Sequence, residues 1–164
     1  MAEIQIAMCE RFLQSTELQQ KLKGVDIIVY DTLAACPATM LGEHFDIPRV
    51  EILPLPPTAA FASSHMVPMP VSYVPQLATG FSDKMNFVER VINLGAYFGG
   101  QLFMYLVYYR PVDDLKAKYS INPERSFQEA IGNAELLIST ADFALEYAQP
   151  LLPGRKKEIG RAHV

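Results

Sequence analysis

The fold is decided by residues 25–53, VDIIVYDTLAACPATMLGEHFDIPRVEIL. A short β-branched run at residues 25–30 ends at Asp31, apolar side chains recur at helical spacing over residues 33–45, and a second apolar run follows at residues 49–53. A strand, a helix and a strand in this order predict a βαβ unit, whose strands are parallel and whose crossover is right-handed. The sequence therefore predicts an α/β layered fold.

The composition is that of one globular domain. The chain has 164 residues, of which 50% are hydrophobic and 20% charged. Its 14 lysines and arginines are outnumbered by 18 aspartates and glutamates, which gives a net charge of −4. Because nucleic-acid binding needs a concentrated basic surface, we expect no DNA or RNA partner.

The chain has two cysteines, Cys9 and Cys36. They are too few for a disulfide framework or a four-thiolate zinc site. Cys36 has no histidine or basic neighbour in sequence, so a buried thiol is favoured over a nucleophile. The first residues, MAEIQIAMCERF, contain charged side chains and do not resemble a secretory signal. Residues 2–23 instead predict one surface helix, ended by Gly24.

Prolines dominate the segment after the βαβ unit. Seven of the twelve prolines lie between Pro48 and Pro75. This density predicts a long, stiffened loop without a regular helix over most of residues 54–70. Loops of this length in compact domains are more often binding or lid segments than filler.

A helical pattern follows, with residues 82–85 predicted to cap it. Residues 91–109 contain no charged side chain, a length that meets the criterion for a membrane span. Their amides, glycines and tyrosines make them less apolar than a typical span, so we expect a buried or membrane-touching helix pair that bends at Gly99-Gly100. The spacing of Gly95 and Gly99 matches a helix-dimer motif that is also common by chance.

The remaining segment alternates helices with one strand. Residues 112–119 predict a charged helix, Asn122-Pro123 is expected to begin another, and residues 127–133 lead into a strand at residues 134–140. Residues 154–164 have no apolar periodicity, which predicts a loose tail.

The usual catalytic signatures are missing from the sequence. There is no phosphate-binding glycine loop, no metal-spaced histidine and cysteine set and no nucleophile elbow, so no cofactor-binding or metal-ligating residue is assigned. Asp31 is the best single candidate, because α/β folds collect ligand-binding groups at the carboxyl ends of parallel strands. An aspartate in this turn also caps the next helix. The residues alone give these two roles equal weight.

Two histidines and a set of apolar side chains are weaker candidates. His44 lies near a predicted helix end, where a solvated imidazole is favoured. His65 lies in the proline-rich loop, where a single unpaired histidine is more often a loop residue than a base facing a pocket. Six side chains could line a lipophilic cavity, although plain core is the default interpretation: Phe61, Met66, Met69, Phe81, Phe98 and Phe103.

Several short motifs resemble a known family in their order and spacing. They are VDIIVYD at residues 25–31 followed by Cys36, FDIP at 45–48, SYVP at 72–75, DKMNF at 83–87 with ERV at 89–91, and PLLP at 150–153. Each motif is weak alone, but their succession is similar to the acceptor-binding half of animal UDP-glucuronosyltransferases, within the UDP-glycosyltransferase family. The resemblance covers nearly the whole chain to Pro153.

The resemblance implies that residues 1–153 are part of the Rossmann-like amino-terminal domain of a GT-B glycosyltransferase. Such enzymes transfer a hexosyl or glucuronosyl group from a UDP-sugar to a lipophilic acceptor hydroxyl with inversion. A histidine takes the acceptor proton, the oxygen attacks the anomeric carbon, and UDP leaves. Asp31 matches the aspartate that orients this histidine. The resemblance places the histidine upstream of this chain, and neither His44 nor His65 matches it.

The resemblance also implies the partners and the location. UDP-sugar is a co-substrate, held mainly by the other half of the family's proteins, and no cofactor or metal is expected. Residues 81–109 are expected to wall the lipophilic acceptor site and to lie close to the endoplasmic reticulum membrane, on its luminal side. The open sheet edge that missing upstream strands would leave predicts marginal stability and homo-oligomers. Residues 154–164 depart from the family, and residues 158–164 resemble a translated sequencing adapter, so we interpret this tail as non-native.

Two functions without catalysis stay open at this point. One is a single-span membrane protein anchored through residues 91–109. The other is a stand-alone module that binds a lipophilic ligand through the loop at residues 54–71. If the family resemblance holds instead, we expect the isolated chain to be inactive.

Overall fold

A parallel sheet of three strands organises the chain. The computed structural model describes residues 2–54, 58–139, 147 and 150. The strands follow the order β1-β2-β3, and both neighbours pair in parallel with β2. They are β1 (Ile28–Asp31), β2 (Arg49–Leu53) and β3 (Leu136–Ser139). This arrangement confirms the α/β class and the partial Rossmann-like architecture that the resemblance implies.

The described part of the chain has seven α-helices. They are α1 (Ala2–Gln14), α2 (Thr16–Leu22), α3 (Ala35–Phe45), α4 (Ala59–Ser64), α5 (Phe87–Met104), α6 (Arg110–Lys118) and α7 (Phe127–Gly132). A 3-10 turn, Thr32–Ala34, joins β1 to α3, and a π-helical segment, Tyr105–Tyr109, joins α5 to α6. The predicted βαβ unit is therefore confirmed, with β1 beginning three residues later than expected.

The first helix is broken, which corrects the prediction of one helix over residues 2–23. Ser15 leaves the helical conformation and its Oγ accepts a hydrogen bond from the backbone N–H of Leu18 at 3.3 Å, so it caps a new helix. Serine favours this position because its side chain satisfies a backbone donor that the first helical turn leaves free. Cys9 and Leu13 of α1 are buried.

The two cysteines form a disulfide, so the expectation that Cys36 is a buried free thiol is wrong. Cys9 on α1 and Cys36 on α3 lie 5.8 Å apart between Cα atoms and are bonded through sulfur. The two helices pack against each other in the main core, where Met40, Val112 and Phe127 are also fully buried. The pairing follows from tertiary contact across 27 residues, which two isolated cysteines in a sequence do not reveal.

The proline-rich segment contains a helix, which corrects the prediction of a loop without one. Residues 58–67 are free of proline, and Thr58 caps α4 by accepting a hydrogen bond from Phe61 N–H. Phe61 packs with Leu53 and Leu137 on the sheet. Gly132 on α7 lies against the backbone carbonyl of Ser64, where any Cβ would clash, so glycine permits this close helix contact.

Helix α5 is longer and more exposed than predicted. It begins after Asn86, which forms a capping box with Glu89, and not at residues 82–85. It runs without interruption through Gly99 and Gly100, so the expected bend there is wrong, and the helix becomes irregular only in the π-helical segment. The helix is not buried, because Asn93 is its one buried residue.

The last described elements largely follow the prediction. Helix α7 begins after Ser126, whose side chain forms a second capping box with Glu129, and Asn122 lies in a turn before it. The strand predicted at residues 134–140 is present as β3, which begins at Leu136, and residue 140 lies outside the described residues. The expectations for the PLLP motif beyond Pro150 and for the tail at residues 154–164 lie outside the described residues.

Candidate functional site

Asp31 is the last residue of β1 and lies at the carboxyl edge of the sheet. It pairs with Ile52 of β2, and its side chain is exposed. Its Oδ1 accepts hydrogen bonds from the backbone N–H groups of Leu33 at 2.7 Å and Ala34 at 3.3 Å. The turn after β1 therefore holds the carboxylate in one orientation.

The two oxygens of Asp31 have different surroundings. Both turn hydrogen bonds use Oδ1, and Oδ2 makes no hydrogen bond to any of the described residues. The same carboxylate can cap the turn with one oxygen and accept a ligand N–H with the other. Asp31 therefore caps its turn through Oδ1, and its Oδ2 is available to accept a hydrogen bond from a ligand.

Next to Asp31, a hydrogen bond connects the turn after β1 to the neighbouring strand β2. Thr32 donates a hydrogen bond from Oγ1 to the carbonyl oxygen of Ile52 at 3.3 Å, which ties the turn after β1 to β2. Leu33 is 65% exposed beside it. In the described sheet β1 pairs with β2 alone, so the other side of β1 is an edge, as the sequence predicts.

A cluster of three hydrogen-bonded polar side chains lies inside the domain, where the sequence predicts no polar cluster. His65 Nε2 lies 3.0 Å from Glu51 Oε2, and Tyr30 donates its hydroxyl proton to the same oxygen at 3.2 Å. His65 Nδ1 lies 3.1 Å from the carbonyl oxygen of Phe61, and the two rings stack. Neither the His65 nor the Glu51 side chain is more than 1% exposed. The expectation that His65 is an unpaired loop residue is therefore wrong.

This buried group is closed to substrate. Burial together with the nearby Glu51 carboxylate raises the pKa of the Tyr30 phenol well above its usual range. Glu51 Oε1 is buried and has no hydrogen-bond partner among the described residues. The signal in sequence was a glutamate between Val50 and Ile52 inside a strand, where alternation places its side chain on one face of the sheet.

The other expected site residues are not gathered into one cavity. His44 is exposed in the last turn of α3, as predicted, with its ring edge against Phe45. Phe61 is core, whereas Met66, Phe98 and Phe103 are each more than 60% exposed, so core is the wrong interpretation for these three. Within residues 2–54 and 58–139, no three histidine, cysteine, aspartate or glutamate side chains are placed to hold a metal ion.

A cleft of about 260 Å³ lies between α4, α5, α7 and the π-helical segment. Gln101, Tyr105 and Gln128 give it polar groups, and Leu102 and Ala60 give it apolar walls. At its base the hydroxyl of Tyr109 hydrogen-bonds Ser64 Oγ at 3.0 Å, and burial raises the pKa of Tyr109. Asp31 does not line this cleft.

No described helix is both long enough and apolar enough to cross a bilayer.

Comparison with known proteins gives a family match over nearly the whole chain. The model of the family described as "UDP-glucoronosyl and UDP-glucosyl transferase" matches residues 1–163. UDP-glucuronosyltransferase 1A1 of Mus musculus is 27% identical over 150 residues, which cover 90% of this chain and 28% of that protein. A UDP-glucuronosyltransferase of Pleuronectes platessa is 28% identical, over 92% of this chain and 32% of its own length.

A relative with a different sugar in its name also matches. 2-Hydroxyacylsphingosine 1-beta-galactosyltransferase of Rattus norvegicus is 30% identical over 86 residues, which cover 52% of this chain and 16% of that protein. This chain spans about a third or less of the length of the curated relatives named here. Since the family model covers residues 1–163, the chain belongs to the UDP-glucoronosyl and UDP-glucosyl transferase family.

Proposed function

We propose that this chain supplies the acceptor side of a UDP-sugar-dependent glycosyltransferase. The whole enzyme moves a hexosyl or glucuronosyl group from UDP to a hydroxyl of a lipophilic acceptor, with inversion at the anomeric carbon. Family membership supports glycosyl transfer, and both glucuronosyl and galactosyl transferases occur among the relatives. The observation that carries the assignment of a catalytic role is the free oxygen of Asp31 at the carboxyl edge of the sheet.

In this mechanism Asp31 is a positioning residue. A histidine base takes the proton from the acceptor hydroxyl, the oxygen forms a bond to the anomeric carbon, and the bond from that carbon to the UDP oxygen breaks. The Asp31 carboxylate accepts a hydrogen bond from the other ring nitrogen and stabilises the imidazolium that forms. Among the described contacts, no hydrogen bond or ion pair joins Asp31 to His44 or His65, so neither of these histidines is oriented by Asp31. We propose that the base is a histidine outside this chain.

Two consequences follow for the isolated chain. In this proposal the base and most of the donor site lie outside the 164 residues, so we expect no UDP release by this polypeptide with any phenolic or lipid acceptor. We also place the parent enzyme at the luminal face of the endoplasmic reticulum membrane, where lipophilic acceptors concentrate. Residues 81–109, with their exposed apolar side chains, would lie close to that membrane.

The test is UDP release by the whole enzyme of which we propose this chain is a part. Wild type should turn over with UDP-glucuronic acid, UDP-glucose or UDP-galactose and a phenolic or sphingoid acceptor. Asp31→Asn should lower kcat/KM by roughly 10²- to 10⁴-fold, since the turn stays capped while the charge is lost. Asp26→Asn, which neutralises an exposed aspartate five residues earlier, is the control and should stay near wild type.

Two outcomes would overturn the proposal. Turnover by the 164-residue chain alone would show that no outside base is needed. Equal rates for Asp31→Asn and Asp26→Asn would show that Asp31 only caps its turn. The upstream reading frame gives a further check, because the proposal requires a histidine there.

A further inference from the structure

The cleft between α4, α5, α7 and the π-helical segment is electrically neutral. Within the described part of the chain no charged side chain lines it, and its lining residues are Ala60, Gln101, Leu102, Tyr105, Tyr109 and Gln128. Burial raises the pKa of Tyr109, so its hydroxyl stays protonated at neutral pH. An ion that entered this cleft would lose hydration without meeting a counter-charge. The cleft therefore favours a neutral ligand.

The π-helical segment directs polar side chains into the cleft. Gln101, Tyr105 and Tyr109 are spaced four residues apart. In a continuous α-helix of 3.6 residues per turn, side chains at this spacing drift around the axis. The wider π-helical turn at Tyr105–Tyr109 reverses this drift, and all three residues line the cleft. Single π-helical turns are frequent at functional sites.

Several polar groups in the cleft are free to bind a ligand. Gln128 donates from Nε2 to Ser63 Oγ at 3.2 Å, which orients its amide, and its Oε1 has no hydrogen-bond partner among the described residues. The Gln101 amide and the Tyr105 hydroxyl likewise make no hydrogen bond to a residue that the structure describes. These groups include both donors and acceptors, and a carboxamide offers both to them on one planar group.

We propose that this cleft binds a small, neutral, planar ligand that carries a carboxamide, such as an aryl amide. Its volume of about 260 Å³ is just below the range of ligand pockets, roughly 300–1,000 Å³, so it admits one ring with its substituent. The Tyr105 ring and Leu102 offer apolar surface to the ring of such a ligand.

This site is separate from the proposed catalytic residue. Asp31 does not line the cleft, and Gln128 lies outside the segment at residues 81–109 that is expected to wall the acceptor site. An aryl amide also has no hydroxyl to which a sugar could be transferred. The inference therefore does not depend on the proposed role of Asp31.

The test is a titration of the ¹⁵N-labelled 164-residue chain with benzamide, followed by NMR. Benzamide should shift the side-chain amide signals of Gln101 and Gln128 in a saturable manner at millimolar concentration, as expected for so small a ligand. Benzoate has the same shape and a negative charge, so it is the matched control ligand. It should bind at least tenfold more weakly than benzamide.

Two variants test the contacts themselves. Gln128→Leu keeps the size of the side chain and removes its amide, so it should raise the benzamide dissociation constant about three- to tenfold. Gln101→Leu should have a similar effect without disturbing the hydrogen bond to Ser63, which keeps the test informative if Gln128→Leu does not fold. Gln20→Leu makes the same change at an exposed position of α2 and should leave the constant unchanged.

Four outcomes would overturn the proposal. They are the absence of a saturable shift, equal binding of benzamide and benzoate, an unchanged dissociation constant in the folded Gln101→Leu variant, and shifts that cluster at Leu33 beside Asp31 instead of in the cleft.

Discussion

Asp31 holds a turn with one carboxylate oxygen and exposes the other, and this division makes a second role available without loss of the first. Its place at the end of a strand could be predicted because strand, turn and helix are local patterns. The Glu51–His65 pair could not, because it joins residues 14 positions apart through burial alone. A glutamate between two apolar residues of β2, Val50 and Ile52, was the available signal for it.

The buried pair gives a prediction for stability. Glu51→Ala leaves His65 and the Tyr30 hydroxyl without their shared acceptor in the interior, so we expect a loss of roughly 3–5 kcal/mol in the free energy of unfolding. Urea denaturation measures it. Glu17→Ala is the control, because the Glu17 side chain is 78% exposed and pairs with Lys21 only at the surface, where such pairs contribute roughly 0.5 kcal/mol or less. A Glu51→Ala effect as small as the control would show that the pair carries no stability.

Asp113 gives a prediction for pH dependence. Burial raises its pKa above 3.8, against the opposing effects of the Phe127 N–H, which donates to Oδ1 at 2.6 Å, and of Lys116. The folded state therefore holds this proton more tightly than the unfolded state, and its contribution is lost as the pH rises through the raised pKa. The Asp113→Asn variant keeps a side-chain oxygen that can accept the hydrogen bond from Phe127 N–H, and it has no carboxyl group to ionise. Relative to wild type, the variant should gain stability as the pH rises from below the usual pKa range of an aspartate to neutral pH. A constant difference in the unfolding midpoint over this range would contradict the assignment.

At the scale of elements, strands were predicted better than helix ends. β2 has its predicted bounds because its apolar run is short and flanked by turn residues. Helix starts are harder to predict because several Ser, Asp and Asn residues compete locally; at the starts of α5 and α7 the residue that caps the helix is the one with a glutamate three residues later. Helix α4 was missed because proline density outweighed the ten proline-free residues in the middle. The glycines at positions 99 and 100 did not bend α5, since helical continuity there costs only about 1 kcal/mol per glycine.

The cap of α5 is a direct test of that correction. Asn86→Ala removes the side chain that accepts from Glu89 N–H at 3.0 Å, and we expect a loss of about 1 kcal/mol in stability. Ser82→Ala, at the position that the sequence predicted as part of the cap, should change stability by less than about 0.5 kcal/mol. Thermal unfolding followed by circular dichroism measures both. A larger loss of stability for Ser82→Ala than for Asn86→Ala would indicate that the helix begins at residue 82 instead.

For the molecule as a whole, the disulfide joins the first helix to the βαβ unit. Cys9 and Cys36 are separated by 27 residues, so in the chain-entropy view their bond stabilises the fold by about 3–4 kcal/mol. We expect a reducing agent to lower the midpoint of thermal unfolding of wild type. It should have no effect on the Cys9→Ala, Cys36→Ala double variant, which should already be destabilised. Unchanged unfolding of wild type in reductant, with two thiols titrated, would contradict this contribution.

The central claim concerns the whole enzyme and its pH–rate profile. An Asp31 carboxylate beside the histidine base should raise the pKa of that histidine. The Asp31→Asn variant, which has no such charge, should therefore have a lower histidine pKa. In the whole enzyme that we propose contains this chain, the acid limb of kcat/KM for Asp31→Asn should therefore move to lower pH by about one unit, together with the loss of rate. The Asp26→Asn control should keep both the limb and the rate of wild type. An Asp31→Asn profile that coincides with that of Asp26→Asn would contradict the account.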